Sequence, residues 1–190
     1  MKQNDTVKKL ALAGVLTAVA VVGSFISFPI LGSKCAPVQH MVNILCAVTV
    51  GPWWALAQAF IASLIRNLLG LGSPLAFPGS MCGALLGGLL GLGSLMAFTG
   101  SMVGALCCGL VYAMCKKLWL TCCAEAFGTS VLGEIAAYPV AKLLMGLNPT
   151  GLFVYIVPFL VSTVVGSILA YVLISALEKG GALNQIRTER

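Results

Sequence analysis

The sequence predicts an all-α integral membrane protein, a bundle of six membrane-spanning helices in a single domain over residues 1–190. Three observations carry that prediction. Of 190 residues, 59% are hydrophobic and only 8% are charged, with a mean hydropathy of +1.04, whereas a soluble domain carries about 25% charged residues. A chain this poor in charge cannot coat a globular surface with polar groups, which excludes a soluble enzyme, a nucleic-acid binder and a disordered protein. The apolar runs are long, and at about 20 residues per crossing the length allows six or at most seven spans and no soluble catalytic module. The basic residues are clustered. Eight of the 11 lysines and arginines stand before the first run (Lys2, Lys8, Lys9), at mid-chain (Lys116, Lys117) and at the end (Lys179, Arg187, Arg190). By the positive-inside rule these mark cytoplasmic segments, so both termini of a multi-pass protein of the cell membrane face the cytoplasm.

The spans follow in order. The first, 7–28, is too long for the apolar core of a signal peptide and reads as a retained helix. Pro29 ends it, and a loop carrying Lys34, Cys35, Gln39 and His40 follows. A short span at 41–50 lengthens if it starts nearer Pro37. Gly51-Pro52 is a turn, and 53–69 is the third span, opened by the interfacial Trp53 and Trp54. After Lys116-Lys117 come spans at 118–145 and 152–177, separated by Asn148-Pro149-Thr150-Gly151. Lys34 is then the one charge in the outward loops. None of the eight cysteines has zinc-site spacing, and Cys35, in a loop, is the expected exposed thiol.

Between the third span and Lys116 lies a tandem repeat. GLGSPLAFPGSMCGALLGGLL (70–90) is followed at once by GLGSLMAFTGSMVGALCCGLV (91–111), identical at 14 of 21 positions. Two copies of such a period match no solenoid class. The repeat reads as a local 21-residue duplication around the fourth helix. One added crossing would put Lys116-Lys117 outside, so the charge pattern favours an even change in span number.

Polar side chains inside spans are costly and mark function by default. In the third span Gln58 and Arg66, and Ser63 and Asn67, form a stripe near the outer end. Arg66 either snorkels to the interface or donates to a ligand. In the fifth span Glu134 and Tyr138 share a face and Lys142 follows within a turn, while Glu125, nine residues before Glu134, falls on the opposite face. An Arg66–Glu134 pair would relieve two buried charges; the alternative is an ion pair that only fixes packing. His40, the one histidine, stands beside Gln39 and near Asn43 and is either a hydrogen-bonding cap or a ligand group. In the first span Gly14 and Ala18, with Ala13, Thr17, Ala20 and Ser24 nearby, permit close approach of another helix. There is no P-loop and no hydrolase or metal motif, so no cofactor and no ATPase of its own are expected.

The stretches APVQHMVNILCAVTVGPWWALAQAFIASLIRNLLG (36–70), LAFPGSM (75–81) and GEIAAYPVAKLLMG (133–146) together resemble the ThiW family, the substrate-capturing S components of energy-coupling-factor (ECF) vitamin transporters. The resemblance implies a six-helix S-component fold and no enzymatic activity. It implies an outward pocket for hydroxyethylthiazole, the thiazole precursor of thiamine, roofed by the loop after the first span. The implied partners are a transmembrane coupling subunit and two ATPase subunits, with helix 1 docking on the former through Gly14 and Ala18. Toppling of the S component in the bilayer would release substrate inside. The second repeat copy has Thr99 where the first has Pro78 of Phe77-Pro78-Gly79-Ser80, which leaves open which copy builds the fourth helix. The neutral heteroaromatic ligand suits the polar set already named: Arg66, Asn67 or His40 donating to the ring nitrogen, Glu134 or Gln39 accepting from the hydroxyl, Phe77 and Tyr138 stacking, with Asn43, Gln58, Ser80 and Lys142 around them. Rival readings are an S component for thiamine or another vitamin, an autonomous secondary transporter, and an intramembrane enzyme on Glu134 and Lys142.

Overall fold

A computed structural model describes residues 2–30, 33–69, 92–136 and 156–186. Helix α1 spans Lys2–Gly23. A small antiparallel hairpin follows, β1 (Phe28–Ile30) and β2 (Ser33–Cys35), with Pro29 opposite Lys34. Then come α2 (Pro37–Thr49), α3 (Pro52–Leu68) and α4 (Leu92–Cys115). Helix α5 runs Leu118–Phe127, widens into a π-helical turn at Gly128–Leu132 and continues as α-helix over 133–136. Helices α6 (Ile156–Lys179) and α7 (Ala182–Ile186) close the described chain.

Local chemistry explains the boundaries. Pro37 and Pro52 stand at the first positions of α2 and α3, where a missing N–H costs nothing and the fixed φ suits a helix. Between them Gly51 has φ 111°, open to glycine and strained for other residues. Helix α2 thus starts at Pro37, earlier than the apolar run alone suggests, and the expected loop before it contains the hairpin.

Helix α2 is the core of the bundle. It packs against α1, α3, α4, α5 and α6, and ten of its thirteen residues are buried. At 1.5 Å per residue it is about 20 Å long, short of a hydrocarbon core of about 30 Å. Because other helices surround it, it need not meet lipid at both faces. Among the described residues, two helices are long and apolar enough to cross a bilayer by themselves, Asp5–Gly23 and Phe159–Lys179.

The surface is inverted relative to a soluble protein. Val7, Leu10, Val15 and Val22 on α1 and Ile168 and Val172 on α6 are exposed, while Gln39, His40, Asn43, Gln58 and Glu125 are buried. Two hydroxyls toward the end of the first helix are satisfied locally: Thr17 Oγ1 donates to the Ala13 carbonyl and Ser24 Oγ to that of Ala20, both at 2.7 Å. Cys35, the expected exposed thiol, is buried at 2% exposure because the hairpin folds back on the bundle, and among the described cysteines Cys115 and Cys123 are exposed.

The second repeat copy builds α4. Its Gly100-Ser101-Met102-Val103-Gly104 run puts two glycines one turn apart, a spacing that lets helices meet closely. Gly133 of α5 rests on the backbone of Gly100, and a Cβ at Gly128 would lie 3.1 Å from the Cα of Gly104. The first copy lies outside the described residues.

Candidate functional site: a buried polar network around Glu125

Gln39, His40 and Asn43 sit on the first two turns of α2 at helical spacings that share a face. Each reaches a different neighbour. Gln39 Nε2 donates to Ser63 Oγ on α3 (2.9 Å) and to Ser101 Oγ on α4 (2.8 Å). Asn43 Nδ2 donates to the same Ser101 Oγ (3.1 Å) and to Glu125 Oε1 on α5 (3.0 Å). His40 Nδ1 lies 3.1 Å from Glu125 Oε1, and Thr129 Oγ1, one turn on from Glu125, approaches the same oxygen at 3.4 Å. With Asn43 and Thr129 already donating to Oε1, the His40 proton belongs on Nδ1, also donating. Four helices are thereby tied through one carboxylate and the hydroxyls of Ser63 and Ser101.

Glu125 is fully buried. Its Oε1 takes all the donors and its Oε2 has no hydrogen-bond partner. A Cβ at Gly104 would stand 3.0 Å from that second oxygen and collide with Thr129 Oγ1, so only glycine leaves room beside it. Asn43 Oδ1 and both polar atoms of the Gln58 amide are buried without partners as well. Leaving such groups unpaired costs about 1–3 kcal/mol each. The network thus leaves two acceptors, Glu125 Oε2 and Asn43 Oδ1, and on α3 the Gln58 amide leaves an acceptor and a donor, groups of the kind a small polar ligand can use.

The expected site is corrected in three respects. Glu125, set apart on the opposite face, is the hub. The reason is the π-helical turn at Gly128–Leu132. One extra residue in a turn removes about 100° of rotation, so nine residues on, Glu134 is turned roughly 80° from Glu125 rather than 180°, and both are buried. The Arg66–Glu134 ion pair is not formed: Arg66 Nε and Glu134 Oε2 are buried and unpartnered, and the ion pair found among the described residues is His40–Glu125. Finally, His40 is not a cap. Ala36 is the N-cap of α2 without a side-chain bond, and the histidine ring turns inward.

Gln39, His40 and Asn43 are brought together as expected. Gln58 is buried on α3 and Arg66 is partly buried near its end. Asn67 is on α3, its side chain outside the described set; Phe77, Ser80, Tyr138 and Lys142 also lie outside the described residues. Ser63, Ser101 and Thr129 were not in the expected ligand set. Ser101 had a signal, since at an offset of 21 it is the repeat counterpart of Ser80. On α1 the small residues divide: Ala13, Thr17, Ala20 and Ser24 are buried in the bundle, while Gly14 and Ala18 face outward, with nothing within 4 Å of a Cβ at Gly14.

Comparison with known proteins matches this architecture to one family. The family model described as thiamine-precursor transporter protein (ThiW) matches residues 10–90 and 88–180. The first match ends with the first repeat copy, and the second takes in the second copy. A solved structure reported as "Structure and mechanism of the S component of a bacterial ECF transporter" shares the fold, with a TM-score of 0.68 over 92% of this chain and 97% of that chain at 20% identity. No curated protein matches the chain. With the family model covering nearly its whole length, the chain belongs to the ThiW family of thiamine-precursor transporter proteins.

Proposed function

We propose that the chain is the membrane-embedded substrate-capturing subunit of an ECF-type importer for hydroxyethylthiazole, energised by a separate coupling module. The observation that carries the reading is the buried polar network at Glu125, which leaves Glu125 Oε2 and Asn43 Oδ1 as unpaired acceptors. A neutral heteroaromatic alcohol needs an apolar enclosure and a few placed polar groups. The ring nitrogen accepts, and Gln58 Nε2 and Arg66 are the candidate donors. The hydroxyl donates, and Glu125 Oε2 or Glu134 Oε2 is the candidate acceptor. His40, Asn43 and Thr129 hold Glu125 in place through its other oxygen. Phe77 and Tyr138 remain the candidates for stacking, with Asn67, Ser80 and Lys142 as further pocket residues. The basic clusters support cytoplasmic termini in a six-span chain, and the outward face of Gly14 and Ala18 supports docking of α1 on the transmembrane coupling subunit.

Calorimetric titration of the detergent-purified chain with hydroxyethylthiazole, thiamine and the pyrimidine precursor tests the reading. Selective thiazole binding is expected, weakened about tenfold or more by Glu125→Gln, which preserves shape but replaces an acceptor oxygen with a donor. Equal binding of all three ligands, or unchanged thiazole affinity in E125Q, would overturn it.

A further inference from the structure

An open groove of about 360 Å³ lies on the lipid-facing side of the bundle between α5 and α6. Trp119, Cys123 and Ala126 form one wall and Val164, Ile168 and Val172 the other. The polar groups at its base satisfy one another: Cys122 Sγ donates to the Ser167 carbonyl at 3.6 Å and Ser167 Oγ to the Cys122 carbonyl at 3.2 Å. The walls therefore offer carbon and sulfur, unsuited to a ring nitrogen or a hydroxyl but suited to a hydrocarbon chain.

One end of the groove is charged. Cys122 faces Ser167 across antiparallel helices, so Trp119 and Tyr171 mark the end where α5 begins. Both rings are about half exposed, at 56% and 47%, as befits aromatics at headgroup level. Lys116 and Lys117 join α4 to α5 at that end, both exposed, with Lys116 Nζ 5.2 Å above the Tyr112 ring. On α6 the nearby charges, Glu178 and Lys179, offset each other, so the doublet sets the sign. From Trp119 to Ala126 the groove follows α5 for about 10 Å, the depth of the upper part of an acyl chain.

We propose that this groove binds an anionic phospholipid, one acyl chain lying between α5 and α6 and the phosphate headgroup resting on Lys116 and Lys117. Juxtamembrane lysines attract anionic headgroups, whereas an apolar partner helix in the groove would leave the doublet without counter-charge.

The test uses the full chain with Trp53→Phe and Trp54→Phe, which leaves Trp119 as the fluorophore, in phosphatidylcholine vesicles doped with brominated phosphatidylglycerol or brominated phosphatidylcholine. Saturable quenching is expected at about a fifth of the mole fraction for the anionic lipid, the preference two nearby lysines readily supply. K116Q/K117Q should erase the difference, and Ala126→Phe, which fills the groove, should remove the saturable phase. Equal midpoints for the two lipids, a preference that survives K116Q/K117Q, or an unquenched Trp119 with Cys123 cross-linking two copies groove to groove would overturn the proposal. Native mass spectrometry of the wild-type chain gives an independent reading: retained phosphatidylglycerol over phosphatidylcholine supports it, and no retention or equal retention counts against it.

Discussion

Ser101 Oγ accepts from Gln39 and Asn43 at once, whereas Ser63 Oγ accepts from Gln39 alone. Removing Ser101 strands two buried N–H groups and removing Ser63 strands one. At about 1–3 kcal/mol per stranded group, Ser101→Ala should lower stability roughly twice as much as Ser63→Ala in detergent denaturation; equal losses would mean that the second donor finds another partner. At Cys35 the hairpin buries the side chain and pushes the thiol above its ordinary range. Less thiolate is therefore present near neutrality, and maleimide labelling of Cys35 should be slower than that of exposed Cys115 and should keep rising with pH beyond about 8.5, where an ordinary thiol is half ionised. A Cys35 rate equal to that of Cys115 across pH would place the thiol in solvent. At this scale the sequence was partly legible. Gln39, His40 and Asn43 stood out as polar groups at helical spacing beside apolar runs. Glu125 was misplaced because phase counting assumes 3.6 residues per turn throughout, and nothing in Gly128-Thr129-Ser130 announces a wider one.

At the scale of elements, α4 and α5 depend on glycines facing each other. A methyl group at Gly104 would meet Thr129 and press on the free oxygen of Glu125. Gly104→Ala should therefore cost about 1–3 kcal/mol by overpacking and weaken thiazole binding, while Gly14→Ala, with open space around it, should change neither; the contrast is measured by unfolding and titration of the two variants side by side. The repeat bears on the same element. Both copies carry Gly-Ser-Met-x-Gly, at 79–83 and at 100–104. Deleting 70–90 leaves 169 of the 190 residues; it removes Phe77 and Ser80 but keeps their repeat counterparts Phe98 and Ser101 together with Gly104, so the shortened chain should retain ligand binding through the second copy, and a loss would show that Phe77 or Ser80 of the first copy is needed at the site. Element existence was readable from apolar runs and proline starts. The role of each repeat copy was not, because two copies with 14 of 21 residues in common carry the same local signal.

At the scale of the whole molecule, the outer surface is apolar and the interior sets a buried polar network within an apolar core, a surface that the charge-poor composition foretold and that fits an integral membrane protein of the ThiW family. Such a bundle gains little from hydrophobic burial between helices and relies on close packing and shared hydrogen bonds, the role of the glycine contacts and of the Glu125 hub. The same logic separates residues that hold the bundle from those free to meet another protein. Ala13, Thr17 and Ala20 of α1 are turned into the bundle, so substitutions there should disturb folding. Gly14 and Ala18 lie on the outer face among exposed valines, so a bulky residue there meets only what docks from outside. Gly14→Leu should thus leave thiazole affinity and thermal stability within about twofold and 0.5 kcal/mol of the wild type, yet abolish uptake in cells that supply the coupling module and prevent co-purification with it. Uptake and co-purification at wild-type levels in G14L would remove α1 as the docking face and turn attention to another exposed apolar surface of the bundle.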